Sequence, residues 1–288
     1  MRLIKKEKKQ FVECDNYKLT FADDRPFVFV ADCQGENLME LFYLSSVNSS
    51  RGSDDTVKIF SWEFAEKDQE IICTLNVESS IWKEKKYRFR CLEDRFLYDI
   101  EVHGQGDLLD VNYFGGYYSA NVRWGSGFFY SGQNFEKGFN PEPNTEEINY
   151  FSPEGGSIID MMGVPLPGRG DWFFTPPPFC FAFQGKNNWV SMGVEAKPGA
   201  NRFTEYTYNA HLGFYLSLAY EGHTGVDGVY SLPAIAFDFA KDEYTALAKH
   251  VRALEEKSYV YFDRNKENPD WWYQPIYCGW GSQCYVAS

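Results

Sequence analysis

Tyr87-Arg88-Phe89-Arg90-Cys91 places an apolar side chain at every second position, with arginines between. A period of two marks an antiparallel strand with one face on a core. Val57-Lys58-Ile59-Phe60-Ser61-Trp62 repeats the pattern nearly as well. Runs of this kind recur at 17–22, 26–31, 56–64, 70–77, 86–91 and 96–103, separated by Asp, Gly, Ser and Lys clusters that read as turns. They recur again at 179–184, 189–195, 203–209, 214–220 and 229–237. Between Gly104 and Trp172 the strands give way to a long stretch rich in Gly, Pro, Asn and aromatics, of the sort that is either functional or decorates a β-sandwich. The fold class is therefore mostly β and antiparallel.

One helix interrupts this pattern. Residues 242–257 open with acids and set Tyr244, Leu247, Val251 and Leu254 at three- and four-residue spacing, which predicts an amphipathic helix on the β domain. Asn268-Pro269-Asp270 follows, then the aromatic run Trp271-Trp272-Tyr273-Gln274-Pro275-Ile276-Tyr277-Cys278-Gly279-Trp280. Its short apolar triplet, 276–278, reads as a fresh buried strand and places a domain boundary near 258–270. Pro176-Pro177-Pro178 forces an extended entry into the strand at 179–184.

Composition narrows the function. A chain of 288 residues with 44% hydrophobic and 24% charged residues folds and can bury a sizeable core. The net charge of -13 argues against binding phosphate backbones, so no nucleic acid is expected. Lys5, Lys6, Lys8 and Lys9 read as a solvated amino-terminal arm, with no signal peptide behind it and no transmembrane span elsewhere. Seven cysteines without a CxxC pair read as reduced cytosolic thiols, and Cys278 with Cys284 lacks the histidines of a zinc site. Aromatic residues reach 18%, which suits stacking on sugar rings and equally suits a β-rich core.

Several catalytic signatures are missing: no Gly-x-Ser-x-Gly elbow, no phosphate-cradling Gly-x-x-x-x-Gly-Lys and no dinucleotide Gly-x-Gly-x-x-Gly. Carboxylates are plentiful, and glycoside hydrolysis needs two of them. Asp171, beside Trp172 in Gly168-Arg169-Gly170-Asp171-Trp172, can bond sugar hydroxyls while the indole stacks on the ring; it also reads as a turn acid. Glu195 reads as a solvated or paired residue at a strand end. Trp271 and Trp272 read as packing a linker under a following domain. If 277–280 begins a (β/α)8 barrel, Trp280 and Gln283 lie on its active-site face.

This order of parts, with Pro275-Ile276-Tyr277-Cys278-Gly279-Trp280-Gly281-Ser282-Gln283, resembles the amino-terminal part of α-galactosidase-like and raffinose-synthase-like glycoside hydrolases, the clan of families 36 and 31. The resemblance implies a large antiparallel β-supersandwich over 1–240, a linker helix and connector over 241–270, and the first strand of a truncated (β/α)8 barrel over 271–288. It carries Trp280 across as a sugar-subsite residue. Its members use an aspartate after the fourth barrel strand as nucleophile and one after the sixth as acid/base, in a retaining mechanism. Neither strand is present, so the expectation is a fragment, inactive alone, of a cytoplasmic α-glycosidase needing no cofactor and acting on an oligosaccharide or glycoside. Two other readings stand beside it: a stand-alone carbohydrate-binding β-sandwich, and a sugar mutarotase pairing Glu195 with His103 or His211.

Overall fold

The computed structural model describes residues 1–7, 9–22, 25–115, 117–118, 122–123, 136–139, 150–151, 180–209 and 215–275. Among these, strands β1 (Arg2–Lys6), β2 (Lys9–Glu13), β3 (Tyr17–Ala22), β4 (Phe27–Asp32) and β5 (Asn37–Phe42) form a five-stranded antiparallel sheet in chain order. The lysine-rich start is thus a hairpin and not a free arm. Leu3 pairs with Val12 and Ile4 with Phe11, and Arg2 reaches Glu13 at 2.8 Å, while Lys5, Lys6 and Lys9 stay exposed. Leu3 and Val12, on either side of the lysines, supply the inward face that the charge density hid.

The second sheet is larger. It comprises β6 (Ser46–Asn48), β7 (Asp55–Lys67), β8 (Glu70–Ser79), β9 (Glu84–Cys91), β10 (Arg95–Tyr113), β11 (Tyr117–Tyr118), β12 (Val122–Arg123), β13 (Lys137–Phe139), β14 (Tyr150–Phe151), β15 (Cys180–Gln184), β16 (Trp189–Glu195), β17 (Glu205–Asn209), β18 (Tyr215–Ser231) and β19 (Ala234–Ala240). Its path is β12-β11-β7-β8-β9-β10-β19-β16-β15-β13-β14, with β6 and β18 also on β10 and β17 on β18. All pairs are antiparallel except β11 with β7.

Two strands overrun the sequence expectation. β10 does not stop at His103, and β18 continues through Gly225 and Gly228, its pairing with β10 interrupted between Ala219 and Thr224 by a bulge that holds Glu221 and Gly222 at positive φ. Gly104 lies opposite Gly228 in the ladder, with φ of +139° and +93°, conformations that side chains other than glycine's rarely adopt. Glycines that read as turns therefore sit inside a long twisted ribbon.

The two sheets close on an aromatic core. Phe21 of β3 meets Phe89 of β9 at 5.6 Å between ring centroids, Tyr17 stacks on Phe239 at 4.8 Å, and Phe96 stacks on Phe237 at 4.6 Å. All six are fully buried. One charged pair shares this interior. Lys85 donates to Asp54 at 2.5 Å and to the Ser45 carbonyl at 3.0 Å, and Asp54 also accepts from Val47 N–H, so neither charge is left unpartnered.

The helix, α1 (Glu243–Glu256), starts where the sequence places it. Asp242 caps it by accepting from Thr245 N–H at 2.8 Å. Ser258 ends it at φ +57°, with Tyr259 N–H returning to the Leu254 carbonyl at 2.8 Å. Its buried face, however, is Ala246, His250 and Ala253, while Tyr244 is 64% exposed and Val251 38%. The helix packs closely on β15, β16 and β19, with Gly193 making room for the His250 ring: a Cβ there would lie 2.5 Å from it, and Leu247 is half-buried against the cluster of Phe139, Ala182, Trp189 and Ala246. No helix among the described residues is long and apolar enough to cross a membrane.

Candidate functional site

Alternation along β9 sends Lys85, Tyr87, Phe89 and Cys91 into the core and Glu84, Lys86, Arg88 and Arg90 to the other face of the large sheet. α1 covers that outer face over β15, β16 and β19. Beyond the helix, on β8, β9 and β10, the face lies open. Where covered and open parts meet there is a cleft of about 770 Å³, within the range of small-molecule sites. Its floor carries Thr74, Arg88, Arg90 and Asp99, and its rim carries Glu195, Lys197, Asn201, Lys257 and Tyr259.

Register assembles the floor. Thr74, Arg88 and Asp99 lie side by side across β8, β9 and β10. Asp99, with only 8% of its side chain exposed, accepts from Arg88 Nε at 2.7 Å through one oxygen and from Arg90 Nε at 2.8 Å through the other. One carboxylate therefore fixes two guanidinium groups from their inner edges. The terminal nitrogen of Arg88 also lies 3.2 Å from Glu101.

The rim is held by ion pairs. Glu195, at the end of β16, is bound by Arg95 at 2.7 Å and by Lys257 just past the end of α1. Burial works to raise the Glu195 carboxyl, but the Lys257 hydrogen bond and the Arg95 charge outweigh it and hold it below the ordinary glutamate range. Arg95 Nε also lies 2.9 Å from Asp238, whose other oxygen is 3.8 Å from His250 Nδ1. Burial pushes Asp238 up to about 7 against the pull of Arg95. Burial likewise lowers His250 to about 4, so its imidazole is neutral at neutral pH. The opposite rim is a turn braced by Asn201, which accepts from Lys197 N–H at 2.7 Å and donates to the Ser231 carbonyl at 3.3 Å.

Glu195 is thus paired, one of the two readings its position suggested, and it is not a free base. His103 bonds Glu101 at 2.7 Å and lies about four residues, roughly 13 Å, further along β10 than the level of Glu195. The described residues do not bring the mutarotase pair Glu195 and His103 together. Asp171, Trp172, Trp280 and Gln283 lie outside the described residues, as do His211, Cys278, Cys284 and the strand expected at 276–278. The five described cysteines, Cys14, Cys33, Cys73, Cys91 and Cys180, are free thiols. Among the described residues no group of His, Cys, Asp and Glu is placed to hold a metal.

Sequence reading missed Arg88, Arg90 and Asp99. The Arg-x-Arg spacing within a strand was the available signal, since it puts both side chains on one face.

No family model and no curated protein matches the sequence. Solved structures do resemble the chain. The α-N-acetylgalactosaminidase NagBb from Bifidobacterium bifidum aligns at 9% identity and a TM-score of 0.48, over 90% of this chain and 39% of that one. A glycoside hydrolase family 97 enzyme from Pseudoalteromonas sp. strain K8, in complex with acarbose, aligns at 10% identity and a TM-score of 0.45, over 81% and 36%. The Slr1438 protein from Synechocystis sp. PCC 6803 aligns at 8% identity and a TM-score of 0.44, over 84% of this chain and 100% of that one. The chain thus spans 39% and 36% of the two glycoside hydrolases it resembles.

Proposed function

We propose that this chain is the amino-terminal β-sandwich portion of a retaining α-glycosidase of the α-galactosidase-like kind, working in the cytoplasm on a terminal α-linked sugar. In this reading residues 1–240 are the supersandwich, 241–270 the connector and 271–288 the start of a (β/α)8 domain that carries the catalytic aspartates. Trp280 and Gln283 then line the sugar subsite, and Asp171 with Trp172 reaches over it.

The observation that carries the proposal is the aromatic surface after α1. Tyr261 is 87% exposed, Trp271 57%, Trp272 50% and Tyr273 75%, in a segment whose last turn is a short 3-10 helix over Asp270–Tyr273. Aromatic surface of this extent on so acidic a chain marks a docking face, and the Pro275–Gln283 resemblance supplies the domain that would dock there.

The test is to read the gene in frame past Ser288 and assay the full product on aryl α-galactosides. The expected outcome is a barrel with aspartates after its fourth and sixth strands and hydrolysis with retention, absent from residues 1–288 alone. A stop codon directly after Ser288 would sink the proposal. That result would favour the second reading, a carbohydrate-binding sandwich, which the open cleft on β8 to β10 supports.

A further inference from the structure

The cleft on the large sheet has a charge balance opposite to that of the chain. The protein carries a formal net charge of -13, yet four cationic side chains, Arg88, Arg90, Lys197 and Lys257, line this one depression against two carboxylates, Asp99 and Glu195. Those carboxylates are already engaged. Glu195 is bound by Arg95 and Lys257, and Asp99 is spent on the Nε edges of both arginines. Glu101 takes the far end of Arg88 at 3.2 Å.

Two cations are left with capacity to spare. Among the described residues, Asp99 is the single carboxylate paired with Arg90, and no hydrogen bond uses the two terminal nitrogens of Arg90. Lys197 stands exposed on the braced turn across the cleft, with no ion pair to its ammonium among the described residues. A guanidinium oriented by a nearly buried carboxylate has lost little remaining freedom to a ligand, and its outer edge presents parallel N–H donors. Thr74, Asn201 and Tyr259 add hydroxyl, amide and phenol groups around it.

We propose that this cleft binds a small hydroxylated molecule through an oxyanion group, a carboxylate or a phosphate ester, held at the outer edge of Arg90, with Lys197 on the far rim adding to the positive field. A neutral sugar offers these cations hydroxyl acceptors but no opposing charge. An acidic sugar supplies that charge and places its hydroxyls against the polar rim. The inference stands on the sandwich alone and does not depend on the glycosidase reading.

Calorimetric titration of the full chain with glucuronate, a glucose phosphate ester, inorganic phosphate and galactose tests it. The expected result is one-to-one binding of an acidic probe that weakens with added salt, and no binding of galactose at the same concentration. Glucuronate binding without the phosphates assigns a carboxylate ligand, and the reverse assigns a phosphate. Arg90→Ala should weaken binding about tenfold or more, with a lower melting temperature because it strips one partner from the nearly buried Asp99. Lys197→Ala, on an exposed turn, should weaken it as well and serves if Arg90→Ala does not fold. The proposal is overturned if no acidic probe binds in the millimolar range, if galactose binds as tightly as the acids, or if both variants bind like the parent.

Discussion

Asp238 and His250, 3.8 Å apart beneath α1, have protonation preferences that pull in opposite directions. Asp238 is raised from 3.8 to about 7, so the folded state prefers its protonated form. Its contribution to stability is present below its unfolded value and is lost as pH rises through about 7. His250 is lowered from 6.5 to about 4, so the folded state prefers its neutral form. That contribution is present above 6.5 and is lost as pH falls through about 4. Across the shared window the two effects offset. The expectation is that Asp238→Asn exposes a loss of stability on acidification relative to the parent, up to about 1.4 kcal/mol per pH unit. His250→Asn should expose the opposite slope. Urea midpoints measured at intervals across the window decide it, and slopes unchanged in both variants would remove the pair from the pH response.

The seat of α1 on β16 depends on Gly193, where an added Cβ would come within 2.5 Å of His250. Gly193→Ala should therefore cost about 1–3 kcal/mol by overpacking. His250→Ala in the same chain should recover part of that loss, and a double-mutant cycle with no coupling would refute the contact. Much of this architecture can be read from local pattern. The β3 and β16 bounds and the start of α1 follow from period and capping, because those signals reside in neighbouring residues. The helix face follows only in part, since of Tyr244, Leu247, Val251 and Leu254 the two leucines are half-buried, while the fully buried face is Ala246, His250 and Ala253. The ends of β10 and β18 do not follow, because Gly104, Gly106, Gly225 and Gly228 lie within the ladder and do not end it. The cleft was half readable. Arg88 and Arg90 declare a shared face by their spacing, but the register that brings Asp99 beside them is set between strands. The remaining candidates, Asp171, Trp172, Trp280 and Gln283, lie outside the described residues.

The sandwich completes its core without the aromatic segment that follows Val260, since Tyr261, Phe262, Trp271, Trp272 and Tyr273 are all exposed and none belongs to a core cluster. Ending the chain at Val260 should raise solubility and leave a single cooperative melt near the parent's temperature. A broadened or lost transition would move the sandwich boundary beyond that point. The layout of β10 bears on how such a chain is made. Its first edge is closed early by β9, but Arg95 pairs with Asp238, 143 residues later, and β18 also comes late. While the chain emerges from the ribosome, a long run of backbone donors and acceptors on β10 waits for partners not yet synthesised. Protection of the nascent half-sheet against strand addition from neighbouring chains thus becomes a requirement of its biosynthesis.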